Sequence, residues 1–114
     1  MNIIVVAKDN NTLSEISPVV KKAFSNDSVE TFTDPLMSIK YGASNKIDLA
    51  VLTTDLRRMP GARFGGILRD KYPDVRLVLV ADDEGELKNA EHPPNSRHIC
   101  RPITADAVMN ATVG

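Results

Sequence analysis

Leu52-Thr53-Thr54-Asp55-Leu56-Arg57-Arg58-Met59-Pro60-Gly61 concentrates more reactive groups than any other stretch of this 114-residue chain. An apolar run ends in two hydroxyls and a carboxylate, followed by two guanidinium groups and a Met-Pro-Gly turn. A carboxylate at the mouth of a buried strand serves either as a nucleophile or metal ligand, or as scaffolding paired with Arg57, Arg58 or Lys8. Asp55 is therefore the first candidate. Lys8-Asp9 closes another apolar run and adds a cation and a second carboxylate. Asp9 and Asp55 are thus two carboxylates at the ends of separate apolar runs. Arg101-Pro102, after the last apolar run, reads as a structural joint, with Arg101 as an oxyanion clamp the functional alternative.

Other motifs lead away from catalysis. His92, His98 and Cys100 lack a fourth ligand at zinc spacing, and Cys100 reads as a core thiol. The glycine-rich "GARFGG" at 61–66 lacks the Lys-Ser/Thr ending of a phosphate loop and the glycine spacing of a dinucleotide site. It reads as a flexible loop. No Ser-His-Asp or metal constellation suggests an independent hydrolase, so no enzyme is expected.

The elements that must position these groups show in the apolar pattern. Runs at 3–7, 49–52 and 75–81 are continuous and β-branched, as for strands buried on both faces of a parallel sheet. Runs at 29–32 and 98–100 are shorter, and the first of them alternates as an edge strand does. Between the strands, Thr12-x-x-Glu15 reads as a capping box opening a helix through Leu13, Ile16, Val20 and Phe24, with Pro18 expected to kink it. Asp34-Pro35 opens a second helix that Asn45 stops. Phe64, Ile67, Leu68 and Tyr72 form a third apolar stripe, residues 83–90 a weak acidic fourth segment, and Thr104 caps a fifth helix through Val108, Met109 and Val113. Strand and helix alternate five times. This predicts an α/β flavodoxin-like (βα)5 three-layer sandwich with a parallel sheet of order 2-1-3-4-5. Ligands of such sheets bind beyond the carboxyl ends of the strands, where Lys8, Asp9, Asp55 and Arg101 all lie.

Composition narrows the classes. A length of 114 residues predicts one domain, residues 1–114. A formal net charge of -1 provides no basic face for nucleic acid. No apolar run reaches the roughly 18 residues of a membrane span, and the chain opens without a secretory leader. With one cysteine, an internal disulfide framework is excluded, and a cytoplasmic protein is expected.

With these blocks in place, the chain resembles the receiver domain of two-component response regulators, of the chemotaxis-regulator type. The residues that carry the likeness are "NIIVVAKDN", "KIDLAVLTTDLRRMPG", "YPDVRLVLVADD" and "CRPIT". The resemblance implies phosphoryl transfer to an aspartate ending the third strand, with Mg²⁺ held by acids ending the first; because Mg²⁺ binds through one or two carboxylates, it makes Asp9 and Asp55 the candidate metal pair. A hydroxyl ending the fourth strand and a lysine ending the fifth would read out the change. It also implies a histidine kinase or downstream effector as partner, docked on the face of the fourth helix, fifth strand and fifth helix. Homodimerisation stays open.

Position by position, the pattern departs from the family's. Ala7 and Lys8 fall where the acid pair belongs, with Asp9 one place later. Counting forward from Asp48 puts Thr53 at the phosphoacceptor position, counting back from Pro60 gives Leu56, and Asp55 fits only with the loop two residues out of register. Val80 or Ala81 replaces the hydroxyl and Arg101 the lysine. His98 falls where a switching aromatic often sits, though a satisfied strand histidine is the commoner case. Lys8 in the metal's place would neutralise Asp55 permanently, or else extend to solvent. The resemblance therefore implies a degenerate receiver that docks to proteins without standard Mg²⁺-dependent phosphorylation. Its alternatives are a competent receiver phosphorylated on Asp55 and a flavodoxin-like cofactor protein. The charged "AKDNNT" loop and an aromatic content of 4% disfavour the cofactor protein.

Overall fold

A computed structural model describes residues 1–89 and 96–112, with side chains not described at 87–89. His92 and Val113 lie outside the described residues, as do the last positions of the weak fourth segment.

Strands and helices alternate along the chain: β1 Asn2–Val6, α1 Asn10–Ala23, β2 Ser28–Phe32, α2 Pro35–Ser44, β3 Leu49–Thr53, α3 Gly61–Lys71, β4 Arg76–Ala81, α4 Glu84–Asn89, β5 Ser96–Cys100 and α5 Ala105–Thr112. The strands form one parallel sheet in the order β2-β1-β3-β4-β5. The expected fold and strand order both hold. Strand boundaries differ from the sequence expectation by one or two residues.

The continuous apolar strands serve two cores because side chains alternate across a sheet. Ile3, Val5, Leu49, Val51, Val78 and Val80 pack with Ile16 and Val20 of α1 and Val108 of α5. Ile4, Val6, Ala50, Leu52, Leu77 and Leu79 pack on the other face with Phe64 and Leu68 of α3. Completely burying one such side chain is worth about 1.5–3 kcal/mol. The two cores thus fix the sheet and, with it, the positions of the loops at its carboxyl edge.

Two local expectations need correction, the cap of α1 and the loop reading of residues 61–66, and Pro18 does not interrupt the helical run of α1. Asp9, not Thr12, is the N-cap of α1, and its carboxylate accepts the Thr12 N–H at 2.7 Å. Thr12 is buried within the first turn of α1, beside the Asp9 carboxylate that caps it. Pro18 is exposed and α1 runs through it unbroken. The carbonyl that would have received its missing N–H belongs to exposed Ser14 and can be solvated instead.

The "GARFGG" segment is the opening of α3 and not a loop. Its glycines let the helix approach the sheet. A Cβ on Gly61 would collide with the Thr53 carbonyl oxygen and lie 3.3 Å from Leu79 Cδ2, and one on Gly65 would lie 3.0 Å from Leu77 Cδ1. Gly61 N–H also donates to the Thr54 carbonyl at 2.9 Å, tying the start of α3 to the end of β3. The Asp34 cap, Pro35 at the first turn of α2 and the Asn45 stop are as expected.

Candidate functional site

The carboxyl ends of β1, β3, β4 and β5 bring Lys8, Thr53, Asp82 and Arg101 to one edge of the sheet. The dominant feature there is an ion-pair lattice. Lys8 Nζ lies 3.0 Å from Asp82 Oδ2, and Arg101 Nη1 lies 2.8 Å from Asp82 Oδ1. Each oxygen of one carboxylate is thus taken by a different cation. Arg101 also binds Glu15 of α1, through Nε to Oε1 at 3.3 Å and through a second contact from Nη2 to Oε2. Its planar fork suits this two-pronged geometry better than an ammonium would. The Arg101 side chain keeps about 25% of its surface exposed, and the side chains of Glu15 and Asp82 about 41% each, so the lattice is half-open to solvent.

Topology explains the placement of Lys8. β3 lies between β1 and β4, so an ion pair from the end of β1 to the end of β4 passes across the end of β3. That gap is two inter-strand spacings, roughly 10 Å, which a lysine and an aspartate reaching toward each other can bridge. The expected pairing of Lys8 with Asp55 is therefore incorrect. Lys8 holds Asp82.

The titration behaviour follows from these contacts. Asp82 is held below the ordinary aspartate value by its bond from Arg101 and then by that from Lys8. Lys8 is raised, chiefly by Asp82. Arg101 is raised further still by Glu15 and then Asp82. Asp9 is depressed by the Thr12 backbone N–H that it caps.

The β3–α3 loop holds the three positions expected to compete for the strand end. Thr53 is buried, and its hydroxyl donates to the Asp55 backbone oxygen at 2.7 Å. Thr54 N–H donates to the Val80 carbonyl at 3.1 Å, and Asp55 and Pro60 form an antiparallel bridge. Leu56 is buried in the α2/α3-face core. Between buried Leu56 and Pro60, Arg58 takes φ 77°.

Asp55 is exposed, and among the described residues its carboxylate has no ion pair. Its expected tethers are all engaged elsewhere. Arg58 Nε pairs with Asp34 Oδ1 at 3.2 Å, Arg57 Nε donates to the Lys8 carbonyl at 3.3 Å, and Lys8 holds Asp82. The reading of Asp55 as a tethered anion is thus overturned, because longer cationic side chains reach better-placed acceptors.

The remaining expected positions lie along β4 and β5. Ala81, where a hydroxyl was sought, is buried, and its carbonyl accepts the Arg101 N–H at 2.9 Å. The Arg101-Pro102 bond is cis. His98 lies half-buried in β5. Cys100 is pushed up mainly by burial, in keeping with an unreactive thiol. A cavity of about 490 Å³ lined by Arg69, Asp74, Arg76 and Arg97 opens at the amino-terminal ends of β4 and β5, away from this edge.

The strand-end rule had marked residues 80–83 as a place for chemistry, so Asp82 lay in an expected segment, but its pairing with Lys8 and Arg101 was not foreseen. Glu15 as a partner of Arg101 was missed, and no sequence signal pointed to it.

Mg²⁺ does not fit these side chains. The two positions ending β1 are an alanine and a lysine, and the Asp9 carboxylate is occupied in capping α1.

No protein-family model matches the sequence, and no curated protein matches it. Solved structures do match. The fold is that of response regulator receiver domains. A two-component transcriptional regulator AraC from Clostridium phytofermentans superposes with a TM-score of 0.77 at 22% identity, covering 97% of this chain and 88% of that one. A response regulator receiver domain protein from Clostridium thermocellum gives 0.75 at 17% identity, covering 97% and 90%. The response regulatory domain of mrkE from Klebsiella pneumoniae gives 0.73 at 17% identity, covering 97% and 91%. At these identities the likeness is one of fold. The lattice described above belongs to this chain's own side chains.

Proposed function

We infer that this chain is a receiver-type signalling domain of a two-component system that works by docking to protein partners without Mg²⁺-dependent phosphoryl transfer. One observation carries the reading: Lys8 stands at the end of β1 and its ammonium binds Asp82 at 3.0 Å. An acyl phosphate reaching Asp55 would need charge neutralisation from a divalent ion in this region. The local positive charge comes instead from Lys8 and Arg101, whose side chains are already committed to carboxylates.

Docking is assigned to the face of α4, β5 and α5, with a histidine kinase or downstream effector as partner and the cytoplasm as its compartment. Asp82 N–H donates to Glu86 Oε2 at 3.0 Å and Glu86 N–H to Asp83 Oδ1 at 2.7 Å, so the lattice is linked by short bonds to the first turn of α4. Exposed Met109 on α5 adds apolar surface to the same face.

A second reading rests on the exposed Asp55 carboxylate, which has no ion pair among the described residues and would be open to phosphorylation. Incubation with acetyl phosphate and Mg²⁺, followed by intact-mass measurement, separates the two. The docking reading expects an unchanged mass while a standard receiver is modified in parallel. A phosphoryl adduct mapped to Asp55 would replace it with the second reading.

A further inference from the structure

We propose that Asp82 is a built-in counter-anion, whose carboxylate takes the place of an oxyanion ligand between Lys8 and Arg101 and holds the site in its occupied arrangement. This deepens the docking reading above and rests on it.

Geometry is the first argument. Two cations from different strand ends converge on the two oxygens of one carboxylate, at 3.0 and 2.8 Å, as they would on two oxygens of a phosphate. Such a pair of cations needs an anion, because without one Lys8 and Arg101 repel across the same space. The depressed titration of Asp82 and the raised titration of Lys8 agree with this arrangement.

Tethering is the second argument. Asp82 follows β4 directly, and its own N–H is fixed to Glu86. A carboxylate held this way competes against free ligands at an effective concentration in the millimolar range or above, roughly as for any short tether. Free phosphate well below millimolar concentration is therefore outcompeted. Arg101 extends the same anion's influence to α1 through Glu15, and the Asp82–Glu86 bond extends it to α4. The chain thus holds, as a fixed feature, the links that a transferred group would otherwise have to create.

The test uses inorganic phosphate without Mg²⁺, at constant ionic strength, on the whole chain. Backbone amides of Lys8 and Arg101 are followed by NMR in the native protein, in Asp82→Asn and in Asp82→Ser. Asn keeps the shape and removes the charge, and Ser provides a second background should Asn disturb the fold. The proposal expects a saturable shift in the variants with an affinity at least about ten-fold tighter than in the native protein. It also expects faster amide exchange at Glu84, Gly85 and Glu86 in both variants. Equal phosphate response in native and variant proteins, or none in either variant, overturns it. The outcome is independent of the acetyl phosphate experiment, because no covalent step or metal is involved. A failure here leaves the docking reading standing, and an adduct on Asp55 leaves this result to be judged separately.

Discussion

Replacing Arg101 by alanine tests how far the ion-pair lattice holds the carboxyl edge together. The guanidinium makes two pairings, with Glu15 on α1 and with Asp82 after β4. Both carboxylates are about 41% exposed, so neither is stranded in a dry interior when its partner is removed. Exposed pairs contribute about 0.2–1 kcal/mol each. Losing two of them, together with the packing of the aliphatic stem, is expected to cost about 1–2 kcal/mol. With a urea slope near 2 kcal/mol/M, that lowers the unfolding midpoint by roughly 0.5–1 M. Arg101→Lys keeps the charge but cannot span both acids, so about half the loss should return. The origin of the effect is checked by salt. At 1 M NaCl the screening length is about 3 Å, and the gap between native and alanine variant should narrow by half or more. A second readout is the Asp82 carboxyl titration, which should move up in the alanine variant because Arg101 is its main depressing contact. An unchanged urea midpoint, or a gap insensitive to salt, would show that the lattice contributes nothing to holding the edge.

Other perturbations follow from the same contacts. Gly61→Ala forces a methyl group against the Thr53 carbonyl, and overpacking of this kind should destabilise by about 1–3 kcal/mol in thermal or urea unfolding, despite alanine's better helix propensity. Asp9→Ala removes the α1 cap and should cost about 1 kcal/mol without altering Mg²⁺ response, whereas a metal ligand would alter both. Asp9, Asp34 and Asp82 are all depressed below the ordinary aspartate value of 3.8, so the folded state binds fewer protons than the unfolded one at these sites. Their stabilisation is complete above that value and lost as pH falls through the lowered ones. Lys8, raised above 10.5, contributes below that pH and loses its contribution as pH rises past its folded value. Unfolding free energy should therefore be nearly flat between about pH 5 and 9 as far as these groups are concerned, and decline outside it.

The fold was readable because its causes are local or periodic. Continuous apolar runs fixed the central strands, and crossover handedness left few topologies to choose between. Asp34, Pro35 and Asn45 were readable as helix boundaries because each acts on backbone a few residues away. Two local misreadings have physical reasons. The glycines of α3 looked like breakers, yet Gly61 and Gly65 are where the helix comes close to β3 and β4. Thr12 looked like the cap of α1, yet the Asp9 carboxylate, three residues earlier, accepts the Thr12 N–H and takes that role.

The site was less readable because long side chains choose partners by position in space. Lys8 and Asp82 are 74 residues apart, and Arg101 and Glu15 are 86 apart. Arg57, Arg58 and Lys8 were all closer in sequence to Asp55, but each found another acceptor. Sequence proximity placed the charges at the correct edge of the sheet. It could not assign the pairs.

The most direct test of the central claim is a titration of the native protein with Mg²⁺, then with beryllofluoride, monitored at the amides of Ala7, Lys8, Thr53, Thr54 and Asp55. A site whose cations are already balanced by Asp82 and Glu15 should show no saturable shift with either addition. Saturable, Asp55-dependent binding of both would contradict the account and restore ordinary phosphoryl signalling to this chain.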